Sequence, residues 1–220
     1  MQSIKRIPHL REKQTFHFST FDFQAMNFLA HLFLSNENPE IMTGNFIGDF
    51  VKGKNLEERF GKEIAKGILL HREIDWFTDR HIVVKQSKDR LRLKYRHYSG
   101  VIVDIFYDHF LAKNFNRYSE KLLPDYADEC YNIIQQHGSI LPDNVKQMLP
   151  YMINGNWLVN YAKVEGVHRA LSGMARRAKF ESKMEFASED LKNHYADFEK
   201  EFFSFFPELI NFTNDWMKMN

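Results

Sequence analysis

Cysteine is nearly absent from this chain: Cys130 is the only one in 220 residues. That excludes an internal disulfide and a zinc site built from cysteines. Set among Tyr126, Tyr131 and Ile133, the lone thiol reads as a buried structural residue rather than a nucleophile. An excess of charge of either sign is also missing. With 30 basic and 29 acidic side chains the net charge is +1, so any electrostatic recognition has to be local. No apolar run approaches the roughly 18–20 residues of a membrane span, and no membrane association is expected. The first 25 residues are basic and polar and lack the continuous apolar centre of a secretory signal. The expected setting is cytoplasmic. There is no P-loop, no GxGxxG after a strand, no GxSxG elbow and no HExxH. Serine or cysteine nucleophile chemistry has nothing to support it.

Strand signals are missing too: no sustained period-two run of β-branched residues is bounded by turns. What is abundant is aromatic side chain, 15% of the chain with 21 Phe, which fits a well-packed core rather than disorder. Apolar residues recur at three-to-four spacing from Met26 onward, as in Phe28, Leu29, Leu32 and Phe33. A second helix is expected from Pro39 to Gly53. It carries Gly44, Asn45, Gly48 and Asp49, small or polar residues that let other groups approach closely. Asn55 with Glu58 forms a capping-box pattern that would open a helix through Phe77. Residues 82–97 read as a basic helix or helix-loop and 100–114 as a central apolar helix. Further helices are expected at 120–137, 142–153 and 156–175, the last broken near Gly166. A final helix starts near Ser182, with Glu185 completing a capping box, and is expected to kink or stop at Pro207. The expected fold is all-α, a single-domain helical bundle over 26–220, with 1–25 a loose extension.

The chain reads as organised around its stretch from Gly100 to Leu111, where acids and a histidine interrupt an apolar run. Asp104 and Asp108 lie one turn apart on one helical face. Two carboxylates on a largely buried helix repel unless a cation or basic groups pair with them. Polar groups on apolar segments recur at His31, at Asp49, at His71 with Asp75, and at Asp104, Asp108 and His109. Imidazole and carboxylate ligands from separate helices are how helical bundles build metal sites, and such sets suit manganese, iron, zinc or magnesium. A bound divalent ion lowers the pKa of a water and polarises a phosphoryl oxygen. Each residue also has a duller explanation: a hydrogen-bonded core histidine at 31, an Arg72 partner for Asp49 or Asp75, a surface position for His109. Against these stand the four contributing helices and the apolar surroundings of Asp49 and Asp104. Elsewhere, 85–97 carries six Lys/Arg against the single acid Asp89. It reads as a solvated face or as a dock for an acidic macromolecule, with too little aromatic interleaving for nucleic acid. A smaller basic spot, Arg176 and Arg177, would contact a phosphate.

Taken in order, several segments resemble the acyl carrier protein phosphodiesterase family. They are MNFLAHL from Met26, GNFIGDFV from Gly44, GILLHREID from Gly67, DIFYDHFL from Asp104, Trp157-Leu158-Val159, and SGMARR from Ser172. That family is a divergent branch of the HD phosphohydrolases, all-helical and metal-dependent with manganese favoured. Its members remove 4′-phosphopantetheine from a serine of holo-acyl carrier protein. The resemblance therefore implies an HD-domain-like bundle and that hydrolytic activity. It also gives 85–97 a natural partner, because acyl carrier proteins are strongly acidic. The usual His-Asp dipeptide of HD enzymes is absent; the nearest are His71-Arg72 and the reversed Asp108-His109. Family proteins begin at the position of Met26, which makes 1–25 an upstream extension or a misplaced start. On this reading the ligands are His31, Asp49, His71 and Asp104, with Asp75 and Asp108 as further ligands or their supports. Asp49 is counted as catalytic as well, Arg72 or Arg176 neutralises developing charge, and His109 donates the proton to the leaving oxygen. Two rivals stand beside it: an HD-type phosphohydrolase acting on nucleotides, and a non-enzymatic helical module binding an acidic protein.

Overall fold

The structure, a computed structural model, describes residues 27–220. The extension expected over 1–25, and the start of order at Met26, lie outside the described residues. Among the described residues there are helices and turns and no strand, as the apolar periodicity predicts.

The chain runs through α1 (Phe28–Phe33), α2 (Pro39–Ile47), α3 (Leu56–Phe60), α4 (Lys62–Arg80) and α5 (Ile82–Tyr95) to the central α6 (Ser99–Lys113). It continues through α7 (Leu123–Gln136), α8 (Asp143–Asn154), α9 (Trp157–Asn160), α10 (Val164–Arg177) and α11 (Ala187–Asn193) to α12 (Tyr195–Met219). One apolar core joins these helices. On α6, Ile102, Val103, Ile105, Phe106, Phe110 and Leu111 are all buried, and the helix packs against α1, α5, α10 and α12. α12 supplies the aromatic side of that core; Phe198 meets Phe106 edge-on with ring centroids 5.0 Å apart. Cys130 is buried in α7, as expected.

The most extensive helix–helix contact among the described residues is between α2 and α4. A Cβ on Gly44 would lie 2.1 Å from the Ile64 carbonyl oxygen, and one on Gly67 2.2 Å from that of Ile41. Only two glycines facing each other let these backbones cross so closely, and the crossing brings His71 of α4 against the end of α2.

Helix boundaries differ from the expected ones in four places. α2 does not run to Gly53: after Ile47 the chain tightens into a 3₁₀ turn, Gly48–Phe50, closed by Val51 N–H to the Gly48 carbonyl at 3.3 Å. The Asn55/Glu58 capping box does not form. Asn55 is left-handed with φ +58° and makes no side-chain cap bond, and α3 ends after one turn at Gly61, φ +82°. Between α9 and α10 the break falls at 161–163, because Gly166 lies inside α10 as a close-packing residue whose added Cβ would sit 1.8 Å from the Asn160 carbonyl. At the end, Ser182 Oγ accepts from Met184 N–H at 3.4 Å and leads into a 3₁₀ turn and α11, not one long helix. α12 then passes through Pro207 without stopping. An interior proline costs about 3 kcal/mol. Burying Phe205, Phe206 and Leu209 around it returns roughly 1.5–3 kcal/mol each, so the helix wins.

Candidate metal centre

Two imidazoles from different helices meet face to face. His31 of α1 and His71 of α4 are both buried and stack with ring centroids 4.1 Å apart. Gly48 makes room for them: a Cβ there would lie 2.3 Å from Cγ of His71. With no side chain at 48, the 3₁₀ turn lies flat on the ring and delivers Asp49 beside it.

Hydrogen bonds through Asn45 fix how both rings point. Its Nδ2 donates to the His31 carbonyl at 2.7 Å and to Ser35 Oγ at 2.9 Å. That leaves Oδ1 to accept from His31 Nδ1–H at 2.8 Å. The Asn45 carbonyl accepts from His71 Nδ1–H, also at 2.8 Å. In the neutral rings both Nε2 atoms therefore carry lone pairs, and both are buried with no hydrogen-bond partner. They face carboxylates. His31 Nε2 is 3.4 Å from Asp75 Oδ1, and His71 Nε2 is 3.2 Å from Asp49 Oδ1 and 3.3 Å from Asp75 Oδ2.

Lone pairs aimed at carboxylates in a desolvated place need a proton or a cation between them. With no ion, the proton serves. Burial alone would lower the His71 pKa, but Asp49 and Asp75 push it up to about 10. Burial would raise Asp75, yet the two imidazoles hold its carboxyl well below the usual range. A divalent cation satisfies the same geometry. The ligand atoms of His31, His71 and Asp75 all lie within 4.8 Å of one another, a mixed imidazole–carboxylate set suited to manganese, iron or zinc. Asp75 is 47% exposed in its side chain, so the group opens to solvent on that side.

The other residues singled out from sequence are placed as follows. Asp104 is not among the converging atoms, but it sits in the field of Asp75, Asp79 and Asp108. Burial raises its carboxyl well above the usual range, with Lys88 opposing and those three acids reinforcing. Asp108 is buried, and its two oxygens accept from Leu29 N–H at 3.0 Å and Ala30 N–H at 2.9 Å, closing the first turn of α1. His109 has both nitrogens engaged: Nδ1–H donates to the Tyr161 carbonyl at 2.7 Å, and Nε2 accepts from Tyr195 Oη–H at 2.8 Å. Burial lowers its pKa, with Lys113 reinforcing and the bond to Tyr161 opposing. Arg72 Nη2 donates to the carbonyls of Val51 and Gly53 at 3.2 and 3.3 Å, beside the Asp49 turn. Arg176 lines a separate cavity between α9 and α10. What sequence reasoning missed is the work of Asn45, noted there only as a small polar residue. Its position one residue beyond Gly44 on the crossing helix was the available signal.

The basic stretch is α5. Lys88 pairs with Asp79 at 2.7 Å, Arg90 grips both oxygens of Glu201 at 2.7 and 2.8 Å, and Lys94 pairs with Asp190 at 2.8 Å. Half of its cations thus join α5 to neighbouring helices. Lys85, Arg92 and Arg96, the last just past the end of α5, stay exposed, as does Leu93 at 100%, and Arg92 lies 3.9 Å from Asp89 on its own helix.

Among known proteins, the family model for acyl carrier protein phosphodiesterase matches residues 26–209. Curated relatives named acyl carrier protein phosphodiesterase include one from Photorhabdus laumondii, 33% identical over 190 residues, covering 84% of this chain and 93% of the relative. One from Yersinia enterocolitica is 30% identical over 191 residues, covering 86% and 98%. One from Escherichia coli O157:H7 is 33% identical over 191 residues, covering 84% and 96%. No solved structure matches significantly. Among the described residues no helix is long and apolar enough to cross a membrane.

Proposed function

The chain belongs to the acyl carrier protein phosphodiesterase family, and on that premise we propose that it is a divalent-metal-dependent hydrolase of holo-acyl carrier protein, releasing 4′-phosphopantetheine. The observation that carries the metal half of this reading is the pair of buried Nε2 atoms on His31 and His71 that make no hydrogen bond, are oriented by Asn45 and face acids at 3.2–3.4 Å. His31, His71, Asp75 and Asp49 would hold the ion, with Asp104, which feels the charge of Asp75, as a further carboxylate. When bound, a divalent ion supplies Lewis acidity toward a water and toward a phosphoryl oxygen, and manganese is the favoured occupant.

The chain's own residues do the rest. Asn45 holds both imidazoles in the tautomer that presents Nε2. Asp49, largely buried beside His71 with Oδ1 turned to that ring, is the carboxylate assigned to accept a proton from the attacking water on its other oxygen. Arg72, anchored on the carbonyls of the Asp49 turn, is the cation assigned to charge developing on the phosphoryl oxygens. The exposed side at Asp75 admits the substrate. For the carrier protein itself, the dock is the exposed surface of α5 and its C-terminal end: Lys85, Arg92 and Arg96 meet acids and Leu93 supplies an apolar anchor, the arrangement expected of an interface with an acidic protein.

The test is the intact mass of holo-acyl carrier protein after incubation with this protein and manganese, beside an EDTA control. Loss of the phosphopantetheine mass only with metal is the expected result. An unchanged mass with folded protein and several metals tried would overturn the assignment.

A further inference from the structure

Between α9 and α10 lies a cavity of about 280 Å³ that the metal centre does not use. Its rim is cationic, with Arg169, Arg176 and Arg177, and its wall is apolar, with Trp157 and Met174. On α10, Arg169, Gly173, Arg176 and Arg177 fall on one face, at i, i+4, i+7 and i+8. Gly173 is the notch in that face. A position one bond out from its Cα lies 3.7 Å from Arg177 Nη1 and 3.9 Å from Arg176 Nη2, so two guanidiniums converge over a spot with no side chain. No carboxylate among the described residues pairs with Arg169, Arg176 or Arg177; Arg169 donates instead to the Asn160 amide oxygen at 2.9 Å. Three exposed guanidiniums without a carboxylate partner thus stand around an open notch. Burial first, and the neighbouring Arg176 second, depress the Arg177 pKa.

We propose that this cavity is a binding site for a small organic phosphate, its phosphoryl group seated over Gly173 between Arg176 and Arg177 and its organic part lying on Trp157 and Met174. Guanidinium forks match phosphoryl oxygens in geometry as well as charge. The volume, near the lower end for ligand pockets, admits a phosphate with a compact body rather than a large cofactor. This inference is independent of the reaction proposed above, because none of the cavity's lining residues belongs to the metal centre.

The experiment is calorimetric titration of the full chain, stripped of metal on a chelating resin, with phenyl phosphate, inorganic phosphate and phenol in turn. Phenyl phosphate is expected to bind saturably at one site, inorganic phosphate at least fivefold more weakly, and phenol not measurably. Arg176→Gln should weaken phenyl phosphate at least tenfold. Gly173→Glu, which places a carboxylate in the notch, should abolish binding while circular dichroism stays that of the parent. Arg72→Gln, at the metal centre, should leave binding unchanged. Absence of saturable binding to the parent protein overturns the site. So does binding insensitive to Arg176→Gln and Gly173→Glu, or binding lost in Arg72→Gln. Equal affinity for phenyl phosphate and inorganic phosphate overturns the organic half of the proposal.

Discussion

Replacing Asn45 by alanine separates the metal centre from the fold that carries it. The side chain makes three hydrogen bonds: two from Nδ2, to the His31 carbonyl and Ser35 Oγ, and one accepted by Oδ1 from His31 Nδ1–H. Two of the partners survive its loss, since Ser35 Oγ–H still donates to the His31 carbonyl at 2.7 Å. The one buried orphan is His31 Nδ1–H, at a cost of roughly 1–3 kcal/mol. The ring escapes that cost by moving its proton to Nε2, 3.4 Å from Asp75 Oδ1. That shift blocks the atom assigned to the metal. Asn45→Ala is therefore expected to lose only about 1 kcal/mol of stability in urea denaturation, the net worth of the lost hydrogen bond. It should also lose 10–100-fold in manganese affinity by titration calorimetry. Ser35→Ala, which disturbs the same cluster without touching Nδ1, should change manganese affinity less than about threefold. A folded Asn45→Ala protein that binds manganese as tightly as the parent would refute the reasoning, because His31 Nε2 would then not be a ligand atom.

Gly48→Ala drives a methyl into the His71 ring, 2.3 Å from Cγ; it should lower manganese affinity at least tenfold while the helical circular dichroism signal persists. Asp49→Ala and Asp104→Ala are each expected to abolish turnover of holo-carrier protein with the fold intact, and full activity in both would sink the site assignment. Burial raises the Asp108 pKa to about 7 from 3.8, against the bonds from Ala30 and Leu29, so the folded state favours the protonated acid. Its contribution is full below the unfolded pKa near 4 and is lost as pH rises through 7. Roughly three units at 1.36 kcal/mol each set a ceiling of about 4 kcal/mol. Asp108→Asn should therefore flatten the fall in urea midpoint between pH 4 and 7, and an unchanged slope would exclude Asp108 as its source. On α5, Arg92→Glu with Leu93→Asp should raise KM for carrier protein about tenfold and leave kcat within twofold, measured at low salt where charge steering is strongest.

The all-α class and most of the helices were legible because apolar spacing survives any change of neighbours. The breaks were not. Asn55 and Glu58 have the right spacing for a capping box, but Asn55 takes a left-handed conformation and α3 stops at Gly61; spacing says nothing about φ. Pro207 carries a strong local signal to stop, which loses to the aromatic packing of α12 on the core. At the site, His31, Asp49, His71 and Asp75 stood out as polar residues in apolar segments. The role of Asn45 did not, because a hydrogen-bond hub leaves no periodic trace. Charge counting on 85–97 gave six cations and could not say that Lys88, Arg90 and Lys94 have partners on other helices.

Asp104 and Asp108 show how far one helical turn separates two roles. Both lie on the same face of α6, and in sequence they read as a pair sharing a cation. In the fold the upper one faces Lys88, Asp75 and Asp79, while the lower one reaches the backbone of α1. α1 has six residues, far fewer than the roughly 12–15 an isolated helix needs to be stable in water. Its first turn, which lacks any side-chain cap from its own Asn27, depends on those two bonds from Leu29 and Ala30. His31 is the next residue. Asp108 therefore bears on the metal centre without touching it, by fixing where α1 begins and hence where the His31 ring meets His71. The two backbone N–H groups at the helix start favour the ionised form and so offset part of the burial that raises the Asp108 pKa in the apolar middle of α6. The acids of this helix have two answers to burial. One is a short helix's N-terminus, and the other, on the function proposed here, is a cation.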